Sequence, residues 1–497
     1  MQGLGLLGWL ALAGTAPGVE TNYLTGRPWF ETRSAHFEAY GCGSTQAVAR
    51  VVARLEQFQE AYSILAGAQA VASPPIVVMA LPDHATLNPL LPLYEGKPAN
   101  LAGFFLRGSD QNLIVLSLEN EGNSSLQTIY HEYTHLLLRH NQAFWPLWLK
   151  EGMAEVYSTF EVVGHKAVRI GHPIESHLYR ISHTPLMSLE ELFHVESQSE
   201  EYNRGERQSL FYAQSWLLTH YLMLGPYPGY RSRLGYLTTL LKQGQPISQA
   251  FTNAFQNSLE NMEQQLRTYF AAGQFTTLEM KVGTDLSAPR NLATRPLLPV
   301  EIPFRLGMEL LRIDRQPAAE KYFNQALALA PASPLPYEGL GLLAVRRDQR
   351  EAALNNLRQA IERNTTSYLV YSTCASELFE QQAASPGTYT TMPKKVAAEI
   401  RSNLEKALAL MPDYGAAHHL LGFLLLVQAE DFAVAEQHLT RAIQLEPDNL
   451  SYLLSLAQVQ YALKNPEAGR RTLQSLDLSY VPPKLRGTAR ELLQTLK

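Results

Sequence analysis

The C-terminal half of this chain repeats itself, and a repeat narrows the possible folds more than any local pattern does. Asn324-Gln325-Ala326-Leu327-Ala328-Leu329-Ala330-Pro331, Leu357-Arg358-Gln359-Ala360-Ile361-Glu362-Arg363-Asn364, Glu405-Lys406-Ala407-Leu408-Ala409-Leu410-Met411-Pro412 and Thr440-Arg441-Ala442-Ile443-Gln444-Leu445-Glu446-Pro447 share one arrangement of polar, alanine and aliphatic positions. Their central alanines, Ala326, Ala360, Ala407 and Ala442, are 34, 47 and 35 residues apart. A period of this length marks a supersecondary unit that cannot bury its apolar face alone and therefore stacks on copies of itself. Gly341 and Gly422 sit where paired helices must approach closely, and a proline closes three of the four units. The middle interval is 13 residues longer than the first, and residues 381–394, which contain Ser385-Pro386-Gly387, read as the extra loop. A partial fifth unit over residues 450–476 and a last helix would close the stack.

These spacings resemble the tetratricopeptide repeat. The resemblance implies an all-α solenoid over residues 304–480, a capping helix over 481–497 and a concave face suited to a protein partner. Upstream, residues 276–303 carry Pro289, Pro296, Pro299 and Pro303 without periodicity, so they read as a linker.

Residues 21–275 have a different texture. Short apolar runs at 35–40, 75–81, 103–107 and 112–118 alternate with an amphipathic helix at 45–64, an α+β pattern. The last two runs flank Gly108-Ser109-Asp110 and read as a hairpin. A helix follows, with Asn123-Ser124-Ser125 as N-cap candidates and Leu126, Ile129, Tyr130, Tyr133 and Leu137 on its buried face. A second helix at 147–160 precedes a hairpin at 161–170 that turns at Gly164-His165. Beyond about residue 170 the pattern is mostly helical, at 188–195, 210–224, 229–242, 247–255 and 259–270.

Composition excludes several function classes. The net charge is −5 and no sustained Lys/Arg run occurs, so there is no electrostatic footprint for nucleic acid. The hydrophobic share of 46% against 18% charged fits globular domains throughout. Cys42 and Cys374 fall in segments assigned to different domains, which argues against a disulfide. Residues 1–20 contain an apolar run ending in Ala11-Leu12-Ala13, similar to the end of a secretory signal but without a basic n-region. An exported or periplasmic location is therefore preferred to a cytoplasmic one, against the alternatives of a frayed apolar segment or a start placed too late. No other stretch reaches the roughly 20 apolar residues that a membrane span needs.

The chemistry-bearing segment is His131-Glu132-Tyr133-Thr134-His135. Two histidines four apart on a helix differ by only about 40° in direction, so both imidazoles can share one tetrahedral ion. Glu132 then stands beside a metal-held water, placed to take its proton during attack on a carbonyl. HExxH arises by chance in on the order of one such chain in fifty, so the pattern alone is only suggestive. Trp148-Leu149-Lys150-Glu151-Gly152-Met153-Ala154-Glu155 follows on the next helix and adds a second pair of groups four apart. One carboxylate of that pair can bind metal while the other hydrogen-bonds a ligand imidazole.

Together these residues resemble the gluzincin metallopeptidases, and most closely the peptidase-MA-like bacterial proteins, over roughly residues 28–270. The resemblance implies an α+β gluzincin-like zinc peptidase domain with one zinc ion per chain. It assigns His131, His135 and Glu151 as metal ligands, Glu132 as general base and Glu155 as the group that orients a ligand histidine. The interval between His135 and Glu151 is shorter than in thermolysin-like enzymes, so their cleft details do not transfer. Tyr212, opening Tyr212-Ala213-Gln214-Ser215-Trp216, is the candidate oxyanion donor, against the alternative of a core tyrosine held by a local hydrogen bond.

Weaker signals have plainer readings. Gly41-Cys42-Gly43-Ser44 lacks the third glycine of a phosphate loop and reads as a strand-to-helix turn. His165, His172, His177, His183 and His194 show no ligand spacing and read as solvated or capping residues, with the alternative that some line the cleft beyond the metal, since the hairpin at Gly164 is near the site in sequence. Two functional expectations follow. One is a zinc peptidase acting on a peptide or protein substrate, with a repeat arm for a protein partner. The other is a catalytically silent repeat scaffold, while a zinc hydrolase of a non-peptide amide remains a variant of the first.

Overall fold

A computed structural model describes residues 22–66, 76–94, 96–99, 101, 103–108, 110–119, 123–138, 145–196, 205–282, 292–382, 392–447, 449–476 and 483–495. The leader expected at residues 1–20 and most of the extra repeat loop, residues 383–391, lie outside the described residues.

The first half contains β1 (Trp29–Arg33), β2 (Phe37–Cys42), α1 (Thr45–Ala66), β3 (Ile76–Leu81), β4 (Gly103–Leu106), β5 (Leu113–Ser117), α2 (Asn123–Leu138) and α3 (Leu147–Ser158). It continues with β6 (Glu161–Val163), β7 (Ala167–Ile170), α4 (Glu175–His183), α5 (Leu189–Phe193), α6 (Gly205–Leu224), α7 (Gly229–Lys242), α8 (Ile247–Phe255) and α9 (Leu259–Ala272). Two strands follow, β8 (Leu278–Lys281) and β9 (Ala293–Pro296). A six-stranded sheet has the order β9-β1-β2-β3-β5-β4, parallel across β2, β3 and β5 and antiparallel elsewhere. A three-stranded sheet joins β8, β7 and β6.

Every residue of β3 and β5 is buried, as expected of parallel strands covered on both faces. Alternation splits them between two cores. Phe37, Val78, Ala80 and Ile114 share one core with α1 and α2. Tyr40, Val77, Met79, Leu81 and Val115 share the other with Ile302, Phe304, Leu310 and Phe323 of the repeats. The sheet is thus a wall common to both halves of the chain. Gly41 and Cys42 end β2, and Gly43-Ser44 make a plain turn into α1: Gly43 has φ 99° and Ser44 Oγ accepts from the Ala47 amide at 3.2 Å, capping the helix. Both cysteines are buried and free.

The region expected as a linker differs from that expectation, because it supplies β8 to the small sheet and β9 to the large one. The prolines misled the reading for a physical reason. Pro296 ends an edge strand, where a missing amide costs little, and Pro303 lies in the first turn of a helix, where it is tolerated. Sequence periodicity also missed β1 and α4, both too short or too polar on their outer face to stand out.

The repeats comprise α10 (Glu301–Arg312), α11 (Gln316–Leu329), α12 (Leu335–Arg346), α13 (Arg350–Glu362), α14 (Tyr368–Glu380), α15 (Lys394–Leu410), α16 (Gly415–Val427), α17 (Phe432–Leu445), α18 (Tyr452–Ala462) and α19 (Pro466–Gln474), followed by α20 (Pro483–Thr495). Four of the turns joining paired helices carry one left-handed residue at the same place: Asp314, Asp348, Ala429 and Lys464. At each, the next amide bonds back to a carbonyl five residues earlier, as in Arg315 to Leu310 and Glu430 to Leu425, which closes the helix end. The glycines sit at close approaches: a Cβ on Gly341 would lie 2.8 Å from Leu357 Cδ2, and one on Gly422 2.8 Å from Leu439 Cγ. Among the described residues no helix is long and apolar enough to cross a membrane.

Candidate metal centre

Helix α2 owes its position to aromatic packing on the side away from the histidines. Tyr130 stacks on Phe58 of α1 at 4.6 Å, Tyr133 meets Phe37 edge-on at 5.6 Å, and the Tyr133 hydroxyl donates to Gln59 Oε1. Thr134 is buried as well and ties its hydroxyl to the Tyr130 carbonyl at 2.6 Å. His131 and His135 are left on the face turned toward α3. Leu138 completes the buried stripe, with the expected Leu137 half-buried against the same core.

Helix α3 is anchored by Trp148, fully buried and stacked on Phe193 of α5 at 5.5 Å. Gly152 lets it lie against α6. A Cβ there would fall 2.1 Å from Thr219 Oγ1 and 2.4 Å from the Ser215 carbonyl oxygen, so only glycine permits this crossing. The crossing aims Glu151 at α2.

The three groups expected as ligands come together. His131 Nε2 and His135 Nε2 lie 3.2 Å apart, and Glu151 Oε2 lies 3.3 Å from the first and 3.2 Å from the second. Among the described residues this is the group of His, Cys, Asp or Glu side chains arranged to hold a metal ion. Zinc bonds of about 2.0–2.1 Å in a tetrahedron put neighbouring donors about 3.3 Å apart, so the donor set fits such an ion without rearrangement. Three protein donors leave one tetrahedral position open, which distinguishes catalytic sites from closed structural ones.

Glu155 sits one turn along α3 from Glu151. Its Oε1 lies 3.4 Å from His131 Nδ1, the nitrogen turned away from the triangle, and its Oε2 lies 3.2 Å from His177 Nε2. His177 therefore lies beside the candidate centre, as in the cleft-lining alternative, rather than in a solvated or capping position. Its ring packs at 5.9 Å from Trp216. The signal for it was faint, because α4 was not recognised and its partner lies on another helix. The remaining histidines of that group are peripheral: His183 Nδ1 bonds the Tyr179 carbonyl at 2.8 Å, His194 Nδ1 the Glu190 carbonyl at 2.8 Å, and His172 pairs with Glu161 at 3.1 Å.

Charge compensation within the cluster is strong. Burial works to lower the His131 pKa, but the Glu155 and Glu151 carboxylates overcome it and hold the imidazole well above its usual value. Burial would likewise raise Glu151, yet His135 and His131 draw it down to about 2. Glu155 is held well below the carboxylate range by His131 and His177 against the same burial. A bound cation would take the place of the imidazole protons. Glu132 is half-buried on the turn that carries His131. Tyr212, on α6, places its ring 6.2 Å from that of His131.

A buried histidine that the sequence did not point to, His220, lies on α6 itself. His220 Nε2 bonds the Gly171 carbonyl at 2.9 Å, and Nδ1 lies 2.9 Å from the Tyr269 hydroxyl. A carbonyl can only accept, so Nε2 carries the proton and Nδ1 accepts from the tyrosine. Burial pushes its pKa down to about 4, and it serves as a neutral tie between α6, α9 and the small sheet.

Residues 426–487 match the tetratricopeptide-repeat family model. The matched stretch runs from the end of α16 into α20, so the C-terminal half contains tetratricopeptide repeats joined to an α+β region. No curated protein matches the chain. Among solved structures, YrrB, described as a tetratricopeptide-repeat protein with an unusual peptide-binding site, is 14% identical over 38% of this chain and 91% of its own, with a TM-score of 0.32. TTC0263, a thermophilic tetratricopeptide-repeat protein of Thermus thermophilus, is 22% identical over 39% and 99%, with a TM-score of 0.29. PilF of Pseudomonas aeruginosa is 19% identical over 35% and 73%, with a TM-score of 0.29.

Proposed function

We propose that the α+β region is a zinc-dependent peptidase and that the tetratricopeptide repeats serve protein or peptide recognition. The observation that carries the first part is the 3.2–3.3 Å triangle of His131 Nε2, His135 Nε2 and Glu151 Oε2. These residues would hold one zinc ion, which when bound supplies Lewis acidity and makes water ionise near neutral pH. Glu132 would take the proton of the attacking water on its carboxylate and pass it to the leaving amine. Tyr212 would donate its phenolic hydrogen to the oxyanion that develops on the substrate carbonyl. Glu155 fixes the His131 ring through Nδ1, which leaves Nε2 for the cation.

The test is zinc content beside peptide-library cleavage, wild type against Glu132→Gln. The variant is expected to retain one zinc per chain and to cleave at least about 100-fold more slowly. Undiminished cleavage by the variant would sink the assignment.

The repeat match favours a second reading, in which the protein acts as a repeat-mediated interaction scaffold and the α+β region is catalytically silent. Metal analysis separates the two. Less than about one tenth of a zinc per chain under metal-replete conditions supports the scaffold.

A further inference from the structure

The turn between β4 and β5 reaches across to the repeats and is held there by side chains from several of them. Arg312, at the end of α10, donates from Nη2 to Gln111 Oε1 at 2.8 Å while its Nη1 pairs with the buried Glu309 at 3.0 Å. Tyr368, which opens α14, donates its hydroxyl to the Asp110 carbonyl at 3.5 Å. The Tyr368 ring lies edge-on against Tyr414, the residue before α16, with centroids 4.9 Å apart, so Asp110 sits beside an aromatic corner. Asp110 is in electrostatic range of Arg312 and Tyr414, and Arg107 of Glu446. The turn itself is tight: a Cβ on Gly108 would lie 2.1 Å from the Gln111 carbonyl oxygen.

These contacts link residues about 200 to 340 apart in sequence and span repeats from α10 to the end of α17. They have the composition of a recognition surface: an arginine supported by a buried carboxylate, an aromatic corner and an acidic-tipped segment presenting carbonyls.

We infer that the β4–β5 turn is the resident ligand of this repeat surface, the repeats gripping it and thereby fixing edge strand β4. That strand packs against α2, with Phe105 in the core shared with the metal-bearing helix. The surface formed by Arg312, Tyr368 and Tyr414 is therefore occupied from within the chain. An outside partner there would have to be a segment of the same chemistry, a turn offering a side-chain amide oxygen and a backbone carbonyl beside a carboxylate, and would displace the β4–β5 turn. This inference does not depend on the metal chemistry.

The experiment is hydrogen–deuterium exchange on the full-length protein, comparing wild type with Gln111→Ala, Tyr368→Phe and the double variant. Gln111→Ala removes the acceptor while sparing the buried Glu309–Arg312 pair, so the fold is not placed at risk. Each lost hydrogen bond is expected to speed local opening about fivefold, and both together more than tenfold, at amides of residues 103–117. Amides of β2 and of residues 415–445 serve as references and should be unchanged. Unaltered exchange at 103–117, or equal acceleration across the references, overturns the inference.

Discussion

Replacing Gly152 by alanine tests whether the Glu-Gly pair of α3 works as one device, the glycine setting the helix crossing that aims the carboxylate. The added Cβ would lie 2.1 Å from Thr219 Oγ1, 2.8 Å from Thr219 Cβ and 2.4 Å from the Ser215 carbonyl oxygen, whereas ordinary contact begins near 3.4 Å. Thr219 could yield by rotating, but the Ser215 carbonyl belongs to the backbone of α6 and cannot. The helices must part by about 1 Å, and overpacking of this kind costs about 1–3 kcal/mol. Because α3 carries Glu151 and α6 carries Tyr212, the same displacement moves both relative to the histidines of α2. A misplacement of about 1 Å at a reacting or ligating group costs about 100-fold in function. Denaturant unfolding and zinc competition with a chromophoric chelator should therefore both report a loss. In a Thr219→Ala background the stability loss should shrink but persist, because the carbonyl remains. Wild-type stability and zinc affinity in Gly152→Ala would refute the reasoning, and complete recovery in the double variant would refute the role given to the Ser215 carbonyl.

Three further outcomes follow from local geometry. His220, pushed to about 4 by burial, stays neutral in the folded protein while the unfolded chain binds a proton near 6.5. Its contribution is intact above pH 6.5 and is lost as pH falls toward 4, by roughly 3 kcal/mol in all and about 2 kcal/mol by pH 5; His220→Gln should flatten that part of the profile in urea unfolding at pH 7 and pH 5, and identical slopes would exclude it. Glu155→Ala should weaken zinc binding about 10–100-fold by freeing the His131 ring, measured by chelator competition, whereas unchanged affinity would remove its orienting role. Ala429 holds φ 52° without a glycine's freedom, so Ala429→Gly should stabilise the repeats by about 0.5–1 kcal/mol in thermal unfolding, and a lower midpoint would contradict the strain argument.

The parts of the structure legible in the sequence are those governed by local periodicity. HExxH and Glu151/Glu155 are helical i, i+4 pairs, so each pair faces one way as soon as its helix forms, and the repeat period fixes the stacked helices. The joining of the two pairs is a tertiary event. It depends on Gly152 meeting Ser215 and Thr219, a contact across some 65 residues that carries no local signature. His177 has no distinguishing sequence signal for the same reason, since its place is set by Glu155 on a different helix. Proline was the other source of error. It breaks periodicity wherever it occurs, yet at an edge strand or a helix start it breaks nothing, so residues 276–303 resemble a linker in sequence while completing two sheets in the fold.

The shared sheet changes what a repeat arm can mean here. A solenoid joined by a free linker could swing, but α10 and α11 cover a face of the sheet whose other face carries α1 and α2. Tyr40, Met79, Leu81 and Val115 are fully buried or nearly so with the repeats on that side, and Arg305 lies over the Tyr40 ring at 4.3 Å. Each such apolar side chain is worth about 1.5–3 kcal/mol when buried, against a net stability of about 5–15 kcal/mol for an ordinary domain. Burial on this side thus ties the stability of the α+β region to the repeats, which are anchored to the strands that carry the candidate site on their other face. Under the proposed function, recognition by the repeats and chemistry at His131, His135 and Glu151 would share one sheet, with the β4–β5 turn at one end of it and α2 lying across its other face.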